Sequence, residues 1–165
     1  MSGRQHITVA KLAGNTAPVI LNKRFTNGET FKIGAILIED TATQGYVKEG
    51  ATGAIADIHG IATEAVDSRP GFELGFASQV TQVTGRVQKV PMYVADSTTV
   101  FSGTGVSAAA LTQVDLEYGL IKSADGIWRV DQTDTSNVAV KVIDVDVDNN
   151  IVYFRFLVSA LPVGV

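Results

Sequence analysis

The stretch Tyr118 to Leu157, YGLIKSADGIWRVDQTDTSNVAVKVIDVDVDNNIVYFRFL, decides the fold class, because four apolar runs alternate in it with polar turn signals. Asp125-Gly126 lies between Gly119-Leu-Ile121 and Ile127-Trp128-Arg-Val130, and that dipeptide readily takes the positive φ angles of a tight hairpin. Further on, the apolar parity changes. Val138, Val140 and Val142 hold even positions, whereas Ile143, Val145 and Val147 hold odd ones, with Asp144, Asp146 and Asp148 in the even places. Side chains alternate across a strand, so keeping one face on the core predicts a bulge or sharp bend near Val142-Ile143. The next run keeps Val152, Phe154, Phe156 and Val158 on one parity and Tyr153 and Arg155 on the other, as a strand with one buried face should.

Upstream, residues 31–66 read as short strands, Phe31-Lys-Ile33, Ala35-Ile-Leu-Ile38, Tyr46-Val47 and Ile58-His-Gly-Ile-Ala62, punctuated by Gly34, Gly45, Gly50, Gly53 and Gly60. Val90-Pro-Met-Tyr-Val94 and Thr99-Val-Phe101 follow, with Ala95-Asp-Ser-Thr98 as the turn between them. Ser107-Ala-Ala-Ala-Leu-Thr-Gln-Val114 is the helix candidate, since Ser107 can cap exposed amides and three alanines stand behind it. Residues 72–89, rich in Gln, Thr and Val, form a candidate protruding excursion. The pattern predicts an all-β chain, a small antiparallel β-barrel or sandwich over 31–165 with one short helix. Residues 1–30 show short apolar islands and no persistent period. They are read as an extended N-terminal arm, or as an edge strand of the same domain.

Composition narrows the function classes. A 165-residue chain with 45% hydrophobic and 18% charged residues lies far from the disordered regime and suits one compact domain. The absence of cysteine removes disulfides, thiolate nucleophiles and Cys-based zinc sites. A formal charge of −4, with cations scattered singly apart from Lys23-Arg24, argues against nucleic acid as a partner. No apolar run approaches about eighteen residues, so neither a signal peptide nor a membrane span is expected.

Each chemical motif meets a structural alternative. Asp144-Val-Asp-Val-Asp148 has the spacing of half a calcium loop, but Asn149 and Arg155 stand where Gly and a bidentate Glu are needed. Gly103-Thr-Gly-Val-Ser-Ala108 matches a dinucleotide turn without room for its crossover helix, and Gly105-Val-Ser107-Ala-Ala109 approaches a nucleophile elbow without its second Gly. Only His6 and His59 could serve as imidazole bases or metal ligands, and each is expected to be structural or solvated. Trp128 reads either as a stacking platform for a sugar or base, or as a core aromatic beside Tyr118 and Phe154. No catalytic residue, cofactor or metal is expected. The uncharged end, Phe156-Leu-Val-Ser-Ala-Leu-Pro-Val-Gly-Val165, must pack on its own domain or dock on a partner.

Three segments carry a resemblance: Gly60-Ile-Ala-Thr-Glu-Ala65, Val94-Ala-Asp-Ser-Thr-Thr-Val-Phe101, and Tyr118 through Asp125-Gly-Ile-Trp-Arg-Val-Asp131 to Val152-Tyr-Phe-Arg-Phe-Leu157. Across roughly residues 31–157 the pattern resembles the capsid decoration, or cement, proteins of tailed bacteriophages. The resemblance implies a non-enzymatic virion protein, made in the host cytoplasm, that binds the outer face of the assembled head as a homo-oligomer, most often a trimer. Its partner would be the major capsid protein. Such a role suits an arm that adds strands to neighbours and an apolar tail. The contact candidates are therefore His6, Ile7, Val9, Val19, Ile20, Leu21 and Phe25, followed by Leu161, Val163 and Val165. A fibre or baseplate module that binds a surface glycan through Trp128 and the acidic face is the alternative.

Overall fold

The computed structural model describes residues 6–12, 14–15, 17–26, 28–53, 56–66 and 89–163. The expected excursion at 72–89 lies outside these residues, save for Lys89, as does Val165. Among the described residues the strands are β1 (Thr8–Val9), β2 (Ile20–Phe25), β3 (Ile36–Glu39), β4 (Tyr46–Glu49), β5 (Ile58–Ala62) and β6 (Lys89–Val94). They continue with β7 (Phe101–Gly103), β8 (Glu117–Lys122), β9 (Trp128–Asp131), β10 (Val140–Asp146) and β11 (Ile151–Phe156). The chain is all-β, as its periodicity predicts.

Two sheets share the work. One is a closed barrel in the order β2-β4-β3-β5-β6; the other runs β1-β7-β11-β10-β8-β9. The second sheet also curls shut. The chain leaving β7 lies parallel to β9 through the bridge Gly105↔Val130, with Val130 N–H donating to Thr104 O at 3.1 Å and Val106 N–H to Val130 O at 2.9 Å. Phe101, Phe154 and Phe156 fill it, with ring centroids 5.1–6.3 Å apart. One continuous buried cluster runs from Phe25, Ile36 and Ile61 in the barrel to Trp128, Val142 and Phe154 in the curled sheet.

The parity change has the predicted consequence. Val142 pairs with Phe154 but Asp144 pairs with Tyr153, so Ile143 is the extra residue of a bulge, and Val140, Val142 and Val145 all stay buried. At the Asp125-Gly126 turn, Ser123 N–H donates to Ile127 O and Gly126 takes φ +78°, giving a hairpin between β8 and β9.

One alternative is decided and one expectation corrected. Of the two readings of residues 1–30, the strand of the same domain fits those described: β1 pairs with β7, and β2 is a wall of the barrel. Apolar islands too short for a period of their own are completed by partners distant in sequence. Asn15 helps fix this, its Oδ1 accepting from Val100 N–H at 2.9 Å and its Nδ2 donating to Val100 O at 3.0 Å. Between Ser107 and Val114 the helix shrinks to a 3-10 turn, Leu111–Gln113. Ala109 N–H is taken by Asn150 Oδ1 at 2.7 Å and Ala110 N–H by Gln113 Oε1 at 3.1 Å, while an extended Val114 and a left-handed Asp115 (φ 68°) end the turn. These contacts outweigh the few tenths of a kcal/mol per residue by which alanine favours helix.

The two sheets meet at a polar joint. Glu49 on β4 accepts from the Trp128 indole N–H at 2.9 Å through Oε1 and from Lys122 Nζ at 2.5 Å through Oε2. Lys122 N–H also donates to Thr52 Oγ1 at 3.2 Å. At Gly34 (φ +81°) a Cβ would lie 2.8 Å from His6 Cβ and 2.9 Å from Ile7 N, so the barrel approaches the strand leading into β1 closely enough to need glycine.

Candidate interaction surface

β2 is paired from Ile20 to Arg24 on one edge and for two residues on the other. It meets β6 from Ile20↔Tyr93 to Arg24↔Lys89, but β4 only at Arg24↔Tyr46 and Phe25↔Val47. Val94 N–H donates to Val19 O at 2.8 Å, so the backbone groups of Val19, Leu21 and Lys23 point to β6. Those of Ile20 and Asn22 then point the other way, where no strand lies among the described residues. Thr26 N–H donating to Val47 O at 3.0 Å shows the same parity on the β4 side. Pro91 fits this arrangement. It faces Asn22, where the backbone of β6 turns toward β5 and its carbonyl accepts from Thr63 N–H, so its missing N–H removes no β2–β6 bond.

The side chains at this open edge are apolar and uncovered: Val19 is 57% exposed, Ile20 55% and Leu21 45%. Consecutive residues of a strand point to opposite faces, so neither face is buried there. Lys23 and Arg24 follow after Asn22, and the Arg24 guanidinium lies 6.0 Å from the Tyr46 ring centroid. The edge thus combines backbone groups that face no strand among the described residues, exposed aliphatic carbon and two cations.

The other contact candidates sort differently. Ile7 and Phe25 are core residues, and Val9 and Leu161 are half-buried against the same core. These four are occupied in holding the fold. His6 and Val163 are exposed, and only Val19, Ile20 and Leu21 form a continuous stretch. Lys23 and Arg24 lie within the same candidate span, Val19 to Phe25, one residue beyond the three aliphatics.

The chemical motifs resolve into structure. Trp128 is 1% exposed and hydrogen-bonded to Glu49, so it offers no stacking platform and the glycan reading loses the residue on which it rested. At Gly105 a Cβ would fall 1.8 Å from Gln132 Nε2, and Gln132 also bonds Ser107 N and O: the glycine-rich turn holds a glutamine amide. Asp146 closes its turn by accepting from Asn149 N and Nδ2 at 3.0 and 2.8 Å, and these bonds hold its carboxyl below the usual range. Among the described residues no three His, Asp or Glu side chains gather as a metal site. His59 is the bulged residue of β5, skipped between Leu37↔Gly60 and Ile38↔Ile58, and its Nε2 is buried with no hydrogen-bond partner. Burial first, and then the charge of Lys23, lower its pKa, against the opposing pull of Glu39 and Asp57.

No helix among the described residues is long and apolar enough to cross a membrane. No family model, no curated protein and no solved structure matches this chain.

Proposed function

We propose that this chain is a non-enzymatic capsid decoration protein of a tailed bacteriophage, a homo-oligomer that docks on the outer face of the assembled head through the open edge of β2 and bridges neighbouring subunits of the major capsid protein. The observation that carries this reading is the combination of Val19–Leu21 exposure with backbone at Ile20 and Asn22 that faces no strand among the described residues. Such an edge accepts an added strand, with main-chain bonds supplying affinity and alternate side chains supplying selectivity. The resemblance over residues 31–157 supplies the class of partner. A protein that binds assembled lattice better than free subunits stabilises the shell by mass action, and repetition over the lattice multiplies modest contacts.

The test is occupancy on heads stripped of the protein. Truncation at residue 24 is a poor probe, because it removes β1 and most of β2 and with them part of both sheets. The double variant Ile20→Ser/Leu21→Ser leaves the backbone in place. Wild type should saturate the stripped heads and raise the temperature at which they release DNA, while the variant, with an unchanged melting curve when free, should bind far more weakly. Failure of wild type to coat heads, or full occupancy by the variant, would overturn the assignment.

A further inference from the structure

The two ends of β5 are held unequally. At one end Ala62 N–H donates to Ala35 O, Gly34 N–H to Ala62 O and Thr63 N–H to Pro91 O, all at 2.8–3.0 Å. At the other end, among the described residues, Ile58 is registered only with Ile38 of β3. The β5–β6 register begins at Gly60↔Val94, and beyond it a single bond runs from Ala95 N–H to His59 O at 3.0 Å. The chain enters this end through exposed Ala56 and Asp57, the latter left-handed at φ 57°. His59 is the extra residue of the bulge there, beside a fully buried Ile58.

The imidazole is badly placed to carry a proton. Its Nε2 is buried without a hydrogen-bond partner, so neither Glu39 of β3 nor Asp57 bonds to it, although both carboxylates act on the ring through their charge. Lys23 of β2 opposes them with a like charge. β6 faces this part of β5 with Val94 and Ala95, which do not titrate, and Asp96 beyond them is engaged by the amides and hydroxyls of Thr98 and Thr99. A proton makes both ring nitrogens donors of a charged group, and a buried charge with no partner costs far more than a neutral one.

We propose that the His59 bulge is an acid-operated latch: on taking up a proton, the segment Asp57–His59 swings out of the barrel as a unit, while the Ala62 end of β5 and the curled sheet stay folded. Movement outward hydrates the imidazolium. It also uncovers Ile58 and strips β3 of its β5 partner at Ile38, so an apolar strand edge appears in acid that is covered at neutral pH. Opening stops before Ala62 because the three bonds there remain, and local opening of this kind follows the density of contacts along a strand. The latch is independent of capsid docking. Its test uses free protein, and its failure leaves the β2 edge untouched.

The experiment is amide exchange on the free protein, read residue by residue by NMR from about pH 8 to about pH 5, the span in which histidine titrates, and expressed as protection factors. Between the ordinary imidazole value of 6.5 and the lower value in the closed barrel, the open segment holds one proton more than the closed one. Protection at Ala95, whose N–H loses its acceptor when His59 leaves, should therefore fall roughly tenfold per pH unit over that interval. Ala62, Thr63 and Val142, bonded to Ala35, Pro91 and Leu116, should keep theirs. His59→Gln should hold Ala95 constant. Protection at Ala95 that ignores pH, an equal fall at Ala62 and Val142, or a fall that persists in His59→Gln would each overturn the latch. Should His59→Gln fail to fold, His6→Gln decides, because the chain has two histidines. A fall that survives His6→Gln belongs to His59, and one that vanishes with it defeats the proposal.

Discussion

The two closed sheets reach closure by different means, and the difference lies in how much of each closing strand is paired. The curled sheet seals itself when the chain leaving β7 runs on to bridge β9, around three packed phenylalanines. The first barrel closes through β2 and β4, a parallel pair with two registered residues, and among the described residues no strand faces Ile20 and Asn22 on that side. Backbone N–H and C=O groups must find water, a side chain or another strand. Closure in the first barrel therefore rests on a short strand pairing, whereas the curled sheet closes around an aromatic core.

The contrast can be broken by substitution. Phe154→Ala in the curled sheet should lower the unfolding free energy by about 3–5 kcal/mol. Denaturant melts measure this, and a loss near that of a surface residue would mean the phenylalanine cluster is not its core. Trp128→Phe keeps most of the packing but removes the indole donor from Glu49, so a loss of about 1.5–3 kcal/mol is expected, as for hydrogen bonds to charged groups. A neutral result would show that Lys122 alone satisfies the carboxylate. Gly34→Ala adds a Cβ against His6 and Ile7 at a positive φ and should destabilise by more than about 1 kcal/mol. Amide exchange at Ala10, whose N–H donates to Val100 O, should accelerate more than exchange in β10.

Two groups of the first barrel set a pH dependence there, His59 on β5 and Asp40 after β3. His59 has a lowered pKa in the folded barrel, so the unfolded chain takes up its proton first as pH falls through the ordinary value of 6.5. Stability is therefore full above that value and declines below it, until the folded-state pKa is passed. His59→Gln should flatten this slope; an unchanged profile would show that the bulge tolerates the charge. Asp40 acts lower on the scale, where the Thr26 hydroxyl, the Ala42 N–H and Lys48 hold its carboxyl below the ordinary value of 3.8. The stability it contributes is present above that value and lost as pH falls through the folded pKa. The smallest effect belongs to the open edge: Ile20→Ser should alter stability by no more than about 0.5 kcal/mol, as at exposed sites. A larger loss would mean that β2 is already covered within its own chain.

Sequence reading served the curled sheet better than the barrel, for a physical reason. In β10 and β11 one face is buried, so alternation is written in the residues and even the bulge at Ile143 follows from a change of parity. In β2 neither face is buried at Ile20 and Leu21, so no alternation exists to be found, and the parallel pairing with β4 has no local turn to announce it. Ile7 and Phe25 then looked like contact residues in a loose arm, although both are core, because their partners lie far along the chain. The alanine run at 108–110 misled in the other direction. A helix preference that sums to little was overruled by Asn150, some forty residues downstream, taking an amide. For the candidate surface, exposure of Val19–Leu21 was legible as an unplaced apolar island, whereas the free edge beside it is a property of pairing alone.

The Asn15 clasp bears on how the protein is made. Its two bonds to Val100 span 85 residues, and β1 has no strand partner until β7 exists. During synthesis the first residues must therefore wait, unpaired, while the whole barrel and the start of the second sheet are translated. Contacts of such long range are slow to form, and an early segment carrying Ile7 and Ala10 stays exposed to other chains in the meantime. Crowded polysomes are thus where this protein would most readily misassociate, and slowing translation before residue 100 should lower the yield of folded chains more than slowing it afterwards.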